Sequence, residues 1–128
     1  MASIFSKIIS GEIPSYKIDE SKDFLAFLDV NPLREGHTLV IPKKEVDYIF
    51  NIEDNELSEL WKFAKQVAKK IESRISCNRI GVAVIGLEVP HAHIHLIPID
   101  SVSDMDFSKE KLNMSQSRLQ EIATLINS

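Results

Sequence analysis

Three of the four histidines in this 128-residue chain alternate within one short apolar segment, at positions 91, 93 and 95. Side chains alternate across a β-strand, so residues two apart point to the same face. In a strand over residues 91–97, three imidazoles share one face, while Ala92, Ile94 and Leu96 face a core. An imidazole near neutral pH serves as nucleophile, proton donor, proton acceptor or metal ligand. The spacing therefore predicts that His91, His93 and His95 form the functional site.

Three interpretations of this segment are open from the spacing alone. Imidazoles are good zinc ligands, and alternating histidines on a strand present a ligand pair. A neutral imidazole also acts as a nucleophile at phosphorus, with neighbouring imidazoles that orient it, hold the phosphate and move protons. The third interpretation is that the histidines are ordinary structural residues. Three in alternation favour chemistry over that last interpretation.

The composition describes one compact domain. At 128 residues and 44% hydrophobic content the chain can bury its own core, so we expect a single domain over residues 1–128. A net charge of −4 argues against a nucleic-acid polymer as partner, which needs a basic face. The lone Cys77 suits a reducing compartment. No apolar run approaches the roughly 18 residues of a membrane span, and the N-terminus does not resemble a signal peptide. A cytoplasmic location without a membrane partner is expected.

The elements that position the histidines follow from caps, turns and apolar periodicity. Ser3 predicts the N-cap of a short first helix, which Gly11 ends. Runs rich in β-branched and aromatic residues, bounded by turn residues or proline, indicate strands. These runs cover residues 15–20, 23–29, 37–42, 79–85 and 91–97. The last two are so close in sequence that we expect them to pair antiparallel.

Apolar residues at steps of three and four predict one long helix. They are Leu57, Leu60, Trp61, Ala64, Val67, Ala68, Ile71 and Ile75. Asn51 with Asp54, or Asp54 alone, is the predicted N-terminal cap. Phe63 falls roughly 100° from the centre of the stripe. It therefore covers the edge of the core or belongs to a subunit contact.

A polar stretch over residues 99–113 leads to a final amphipathic helix. Its apolar residues are Leu119, Ile122, Leu125 and Ile126. Strands in succession, with helices inserted and few helical crossovers, predict an α+β fold with a mainly antiparallel sheet.

The histidine segment, residues 91–97, resembles the signature of the histidine triad (HIT) family at every position, since histidines and apolar residues alternate as in that signature. A second resemblance covers residues 27–32 and 36–44, where family members have a strand ending in an aspartate and a next strand beginning with a fourth histidine. Residues 4–14 are similar to the family's N-terminus. The resemblance extends over nearly the whole chain up to Ile99.

The resemblance implies a HIT-like fold: a five-stranded, mainly antiparallel sheet with one long helix, a short N-terminal helix and a C-terminal helix. Residues 100–128 would be a C-terminal extension. Family members of this length are commonly homodimers in which the long helix and a sheet edge meet their copies. The apolar strand over residues 79–85 would be an exposed sheet edge, which risks aggregation unless another chain covers it. We therefore expect a homodimer.

The resemblance also implies roles for single residues. His93 would be the nucleophile that attacks the α-phosphorus of a purine nucleotide and forms a transient nucleotidyl-histidine. His95 would contact the phosphate and help the leaving group, and His91 with His37 would complete the polar network. Asp29 would accept hydrogen bonds from the ribose hydroxyls. The apolar slot for the base would consist of Phe5, Ile8, Phe27 and Val30.

Two departures from the family pattern concern phosphate and metal binding. Many members carry a glycine, a glutamine and a hydroxyl residue ahead of the triad. Here Gly86 keeps its place, while Leu87 and Glu88 replace the other two. Amides after Gly86 can donate to a phosphate, whereas a carboxylate at position 88 repels one unless it is turned away or protonated.

A zinc-bearing subset of the family has two cysteines near the start and a histidine after the Pro-Lys-Lys segment. This chain has Ser3, Ser6 and Glu45 at those places. Serine hydroxyls do not replace thiolates as zinc ligands. No metal and no other cofactor are therefore expected.

The expected activity is that of a purine nucleoside phosphoramidase-like hydrolase or transferase, acting at the α-phosphate of a phosphoramidate or a related phosphoanhydride. The alternatives are a dinucleoside polyphosphate hydrolase of the same fold, or a nucleotide-binding regulatory protein in which the altered loop at Leu87 and Glu88 allows only weak turnover. A metalloenzyme is a third possibility.

Overall fold

The computed structural model of the protein describes residues 3–128. The elements are α1 (Ile4–Ser10), β1 (Lys17–Glu20), β2 (Phe24–Leu28), β3 (Thr38–Pro42), α2 (Asp54–Glu72), β4 (Arg79–Ala83), β5 (Ile94–Ile99) and α3 (Gln116–Asn127). Short 3-10 helices cover Ile49–Asn51 and Val102–Met105. All strand pairs are antiparallel, in the order β1-β2-β3-β5-β4. The predicted α+β fold with a five-stranded antiparallel sheet is confirmed.

The sheet separates two apolar clusters because side chains alternate along each strand. The larger cluster contains Ala26, Val40 and Ile94 from the sheet and the buried faces of α2 and α3. The smaller cluster lies on the opposite face and contains Phe5, Leu25, Phe27, Leu39 and Ile41. Helix α1 supplies Phe5 to this second face. Both faces of β2 and β3 are therefore covered, and every residue of these two strands is buried.

Helix α1 has the predicted ends. The Ser3 hydroxyl accepts the N–H of Ser6 at 3.1 Å, which caps one of the free amides at the helix start. Gly11 follows the helix with φ 87°, a left-handed conformation that glycine adopts without strain. Both predicted boundaries are confirmed.

The buried stripe of α2 consists of Leu60, Phe63, Ala64, Val67 and Ile71. Phe63 packs on Phe24 with ring centroids 5.7 Å apart, so it belongs to the core and not to a subunit contact. The prediction that Trp61 lies in the stripe is wrong, since 41% of this residue is exposed. At about 100° per residue, Trp61 points well away from Leu60 at the centre of the stripe.

The predicted cap of α2, at Asn51 or Asp54, is also wrong. Glu53 is the N-cap, and its carboxylate accepts the N–H groups of Asn55 and Glu56. The longer glutamate side chain reaches the free amides that aspartate or asparagine usually satisfies.

Helix α3 buries Leu119, Ile122, Ala123 and Ile126 in the larger cluster. This shared core supports our proposal that the chain is one domain. Leu125 was expected on the buried face but is 44% exposed. Ala123, which was not predicted there, is buried instead. The predicted polar stretch over residues 99–113 begins with the last residue of β5 and contains the 3-10 helix Val102–Met105.

The histidine strand begins later than predicted. Strand β5 starts at Ile94, so His95 lies in the strand while His91 and His93 precede it. Pro42 lacks the N–H that would extend the β3–β5 ladder. The N–H of Ala92 donates instead to the Val46 carbonyl at 2.7 Å. The predicted alternation nevertheless holds, since Ala92, Ile94 and Leu96 all lie in the larger cluster.

Strands β1 and β4 form the two edges of the sheet. β4 ends at Ala83, two residues before the predicted end, and Val84 and Ile85 are exposed beyond it. β1 begins at Lys17, two residues after the predicted start. Among residues 3–128, no helix combines the length and apolar character needed to cross a membrane.

Candidate active site

The antiparallel register brings the four histidines to one face of the sheet. Leu39 lies opposite His95, and directly opposed residues share a face. His37 is two residues before Leu39, so its side chain also points to this face. The face is the one that carries the smaller apolar cluster with Phe5 and Phe27. The structure thus places His37, which is distant in sequence, beside the histidine segment.

His93 is held in one tautomer by its own backbone. Its Nδ1 lies 2.8 Å from the carbonyl oxygen of His91. A carbonyl only accepts, so Nδ1 must carry the proton, and Nε2 of the neutral ring is left with a free lone pair. The ring also packs edge-on to Phe5 at 5.1 Å and to His95 at 4.9 Å between centroids. These contacts hold the unprotonated Nε2 in a fixed orientation.

His37 and His95 form a second oriented pair. The N–H of Leu33 donates to Nδ1 of His37 at 3.0 Å, so the proton of His37 is on Nε2. That Nε2 lies 3.0 Å from Nδ1 of His95 and donates to it. The proton of a neutral His95 is therefore on Nε2, the atom away from His37. Through His37, the backbone amide of Leu33 thus makes Nε2 of His95 a hydrogen-bond donor next to His93.

His91 is fully buried and fixes the N-terminal helix to the histidine segment. Its Nε2 donates to the Pro42 carbonyl at 2.7 Å, so Nδ1 is the acceptor for the Ser3 hydroxyl at 3.1 Å. Glu45 extends this cluster, since its Oε1 accepts from the Ser3 N–H at 2.8 Å and from the Ser6 hydroxyl at 3.0 Å. The carbonyl of His91 then orients His93, so this cluster acts on the His93 imidazole through the backbone.

Burial keeps the surrounding imidazoles neutral at pH 7. It is the largest of the causes that lower the pKa of His37 to about 3, with smaller contributions from the nearby His95 and Lys111. Burial likewise lowers the pKa of His95 to about 4, with smaller contributions from His93 and Lys111. The pKa of His91 is lowered by burial too, although its bond to Pro42 opposes the shift. Neutral rings are what the tautomer assignments above require.

Asp29 lies at the edge of this group. Its Oδ2 is 3.7 Å from Nε2 of His37, and its Oδ1 accepts the N–H of Asn31 at 2.9 Å. Burial raises the pKa of the Asp29 carboxyl, and the bond from Asn31 opposes that shift. One carboxylate oxygen is thus engaged in the turn, and the other faces the histidines.

His93 lines an open cavity of about 350 Å³. Of the predicted phosphate-binding residues, Gly86 and Leu87 line the same cavity, and Gly86 has φ 75°. Glu88 is exposed, and its negative charge contributes to raising the pKa of the Asp29 carboxyl. The remaining walls come mainly from residues that sequence reasoning did not single out: Asp47, Tyr48, Ile49, Phe50, Trp61, Val84 and Ile85.

The residues of the predicted apolar slot do not line this cavity. Phe5 packs edge-on to Phe27 at 5.6 Å, and Ile8 packs against the same cluster. Phe5 and Phe27 are almost fully buried, whereas Val30 is about half exposed. The structure brings Phe5, Ile8 and Phe27 together and leaves Val30 at the surface beside Asp29.

The donor atoms argue against a metal at the histidines. Within residues 3–128, Asp29, His37 and His95 offer ligand atoms within 4.8 Å of one another. The Leu33 amide already uses the lone pair of His37 Nδ1, so Nε2 holds the proton and has no lone pair for a cation. Ser3 and Ser6 offer hydroxyls, which are poor zinc ligands.

Sequence reasoning missed Phe107 as a site residue. Its ring packs edge-on against His95 at 4.9 Å and against His37 at 6.3 Å. It lies in the polar stretch before α3, where no periodicity or motif indicated a contact with the histidines. A lone aromatic residue in such a stretch was the available signal.

The fold and the site together define a class, the HIT-domain proteins, whose family description matches residues 10–102. The chain belongs to this histidine triad family. It is 38% identical to an uncharacterized HIT-like protein of Borreliella burgdorferi, over 97% of this chain and 95% of that protein. It is 42% identical to the adenosine 5′-monophosphoramidase HNT1 of Saccharomyces cerevisiae, over 76% of this chain and 62% of the yeast protein. A crystal structure of a Hit-like protein from Bartonella henselae superposes with a TM-score of 0.85 at 30% identity, covering 98% of this chain and 93% of that one.

Proposed function

We propose that this protein is a nucleotide hydrolase or transferase that acts at the α-phosphate of purine nucleoside phosphoramidates or related phosphoanhydrides. The observation that carries the proposal is the geometry of His93: its Nδ1–H is bound to the His91 carbonyl, and the residue lines an open cavity. A fixed lone pair at the wall of a cavity is suited to in-line attack. The yeast relative named as an adenosine 5′-monophosphoramidase supports the substrate class.

The proposed reaction has two steps. Nε2 of His93 attacks the α-phosphorus, the bond from phosphorus to the leaving nitrogen breaks, and the nucleotidyl group stays on His93. The leaving nitrogen takes up one proton from solvent as it departs, while Nε2–H of His95 donates a hydrogen bond to it. Water then attacks the phosphorus, releases the nucleoside monophosphate and one proton, and restores neutral His93. His37 and His91 position the reacting imidazoles, and neither step requires a metal.

The nucleotide-binding roles are part of the same proposal. Asp29 has one carboxylate oxygen free of the turn, which suits it to accept from the ribose hydroxyls. Phe5, Ile8 and Phe27 belong to the apolar cluster beside His93, and Val30 is half exposed; together they would supply the apolar surface that a planar base needs.

The loop with Gly86, Leu87 and Glu88 supplies the phosphate contacts. Gly86 lines the cavity, and its positive φ lets the backbone turn so that the following amides face a phosphate.

The test is turnover of a lysyl adenosine phosphoramidate by the native protein, His93→Ala and Gln66→Ala. Gln66 is exposed on α2 and serves as the control. We expect His93→Ala to lose more than about 10³-fold in kcat and Gln66→Ala to match the native protein. Undiminished turnover by His93→Ala refutes the proposal.

Three parallel measurements decide between the alternatives. Faster hydrolysis of diadenosine polyphosphates than of phosphoramidates would assign the dinucleoside polyphosphate activity. Tight AMP binding with negligible turnover across a panel of phosphoramidates would assign a regulatory role. Loss of turnover on addition of a chelator would assign a metalloenzyme.

We also propose that the protein is a homodimer. β4 is an edge strand that carries the exposed Val82, and the exposed Trp61, Val84 and Ile85 line the cavity beside His93, so the partner subunit would form one wall of that cavity. A soluble monomer rarely leaves such an edge and patch uncovered. Sedimentation velocity at high micromolar concentration should show a dimer, and a monomer at that concentration contradicts the proposal. The other proposed partner is the purine nucleotide. The net negative charge and the lone Cys77 fit our expectation of a cytoplasmic protein that binds no nucleic-acid polymer.

A further inference from the structure

Residues 100–112, which we call the C-terminal strap, are tied at both ends to the connection between β2 and β3. At one end Arg34 forms ion pairs with Asp104 and, at 3.2 Å, with Asp100. At the other end the N–H of Leu112 donates to the Pro32 carbonyl at 2.8 Å. The same connection ends at His37 and holds it through the Leu33 amide. The strap is therefore fixed to the segment that orients the His37–His95 pair, although all but its first three residues lie beyond the part of the chain that matches the HIT domain.

Between these two ties the strap places Phe107 on the histidines. The ring lies edge-on to His95 at 4.9 Å with an interplanar angle of 69°, and to His37 at 6.3 Å with an angle of 80°. The Nζ of Lys111 donates to the Phe107 carbonyl at 2.7 Å and lies 5.9 Å from the centre of its ring. Edge-to-face packing and a cation near the ring both favour this arrangement. Contacts to its backbone carbonyl and to its ring thus hold Phe107 in place.

Within residues 3–128, three aromatic rings surround the His95 ring, and one of them, His37, is also its hydrogen-bond partner. Its Nδ1 accepts from His37, His93 packs on it at 4.9 Å, and Phe107 packs on it at the same distance. A single hydrogen bond does not fix a planar ring, so packing must set its remaining rotation. We propose that Phe107 is a positioning residue of the active site, which holds the His95 imidazole in its bond to His37 and so keeps Nε2–H available beside His93.

Removing the Phe107 ring should change both the geometry and the ionisation of His95. Water would reach the imidazole, and the burial that lowers its pKa to about 4 would weaken, so this pKa should rise. A second proton on Nδ1 would break the bond from His37, because both atoms would then be donors. The other ionisable groups around the pair are Asp29, His93 and Lys111, and none of them changes in the variants below.

The test compares Phe107→Ala, Phe107→Leu and Val102→Ala in the full chain. Val102 lies in the same strap and is 90% exposed, which makes it the matched control. Long-range proton–nitrogen NMR spectra report the tautomer and the pKa of His95, and circular dichroism confirms that each variant is folded. Steady-state kinetics with the phosphoramidate separate kcat from KM. The kinetic measurement rests on the proposed function, whereas the NMR measurement does not.

We expect Phe107→Ala to raise the pKa of His95 and to mix its tautomers, with a loss of roughly 10- to 100-fold in kcat and little change in KM. Phe107→Leu keeps apolar cover and should stay within about threefold of the native kcat, as should Val102→Ala. A folded Phe107→Ala with the native pKa and tautomer of His95 overturns the inference, as does a raised KM with unchanged kcat, which would mean direct contact with substrate. If the native protein has no turnover but Phe107→Ala still shifts His95, the positioning role stands and the proposed function fails.

Discussion

The Ser3 hydroxyl joins the cap of α1 to the buried imidazole of His91, so Ser3→Ala should cost far more stability than a surface substitution. Losing the cap on the Ser6 amide costs about 1 kcal/mol. Leaving Nδ1 of the fully buried His91 without its donor adds about 1–3 kcal/mol. Together the free energy of unfolding should fall by about 2–4 kcal/mol.

Ser6→Ala is the matched control for this prediction. Ser6 is in the same helix, and its hydroxyl contacts the exposed Glu45 carboxylate at 3.0 Å. Its replacement should change the free energy of unfolding by less than about 0.5 kcal/mol. Urea unfolding at pH 7, followed by circular dichroism, measures both variants. Equal losses for Ser3→Ala and Ser6→Ala would refute the reasoning, because the buried bond to His91 would then contribute nothing.

Three further predictions concern the histidines and the loop before them. Burial lowers the pKa of His37 to about 3 and of His95 to about 4 from 6.5, so the unfolded chain binds more protons below pH 6.5. Stability should therefore be complete near pH 7 and fall by about 2–4 kcal/mol at pH 5, as urea unfolding can measure; equal stability at the two pH values contradicts this. Gly86→Ala and Gly11→Ala both place a side chain at positive φ in open space, so each should lose about 1 kcal/mol of stability. Only Gly86→Ala should lower kcat/KM, by about tenfold or more, and an equal effect of both on activity argues against a phosphate role for this loop. Glu88→Gln removes an exposed negative charge and should raise kcat/KM for the anionic substrate by about two- to fivefold at low salt, with a smaller effect at high salt. A decrease in kcat/KM would contradict this and mean that the Glu88 carboxylate assists the reaction.

The sequence predicted the architecture well because its strongest signals are local. Ser3 and Gly11 mark the ends of α1 through their own backbone requirements, and both positions are confirmed. The alternation at Ala92, Ile94 and Leu96 correctly assigned the faces of the histidine segment. Its start was misplaced because the ladder depends on Pro42 and Val46, which lie about fifty residues away.

Errors in burial arose at the edges of helical stripes. Trp61 and Leu125 are as apolar as their buried neighbours, and periodicity alone does not say which side of the stripe a neighbouring element covers. Phe63 is covered because Phe24 of β2 lies against it. Such contacts depend on the tertiary arrangement.

Site residues that belong to a sequence motif could be predicted, whereas residues that only the fold brings to the site could not. His37 was found through a resemblance, and the register of β3 with β5 explains its place. The amide of Leu33, which sets the tautomer of His37, has no sequence signal because any residue except proline supplies an N–H. Phe107 reaches His95 only because Arg34 and Pro32 anchor the strap.

The most direct test of the central claim is to detect the nucleotidyl group on His93. The protein is mixed with an adenosine phosphoramidate, quenched within the first turnover, digested under mildly alkaline conditions and analysed by mass spectrometry. We predict one adenylyl group on the peptide that contains residues 91–95, localised to His93, and none in His93→Ala. An adduct on another residue, or rapid turnover by a native protein that never carries the group, would contradict nucleophilic attack by His93.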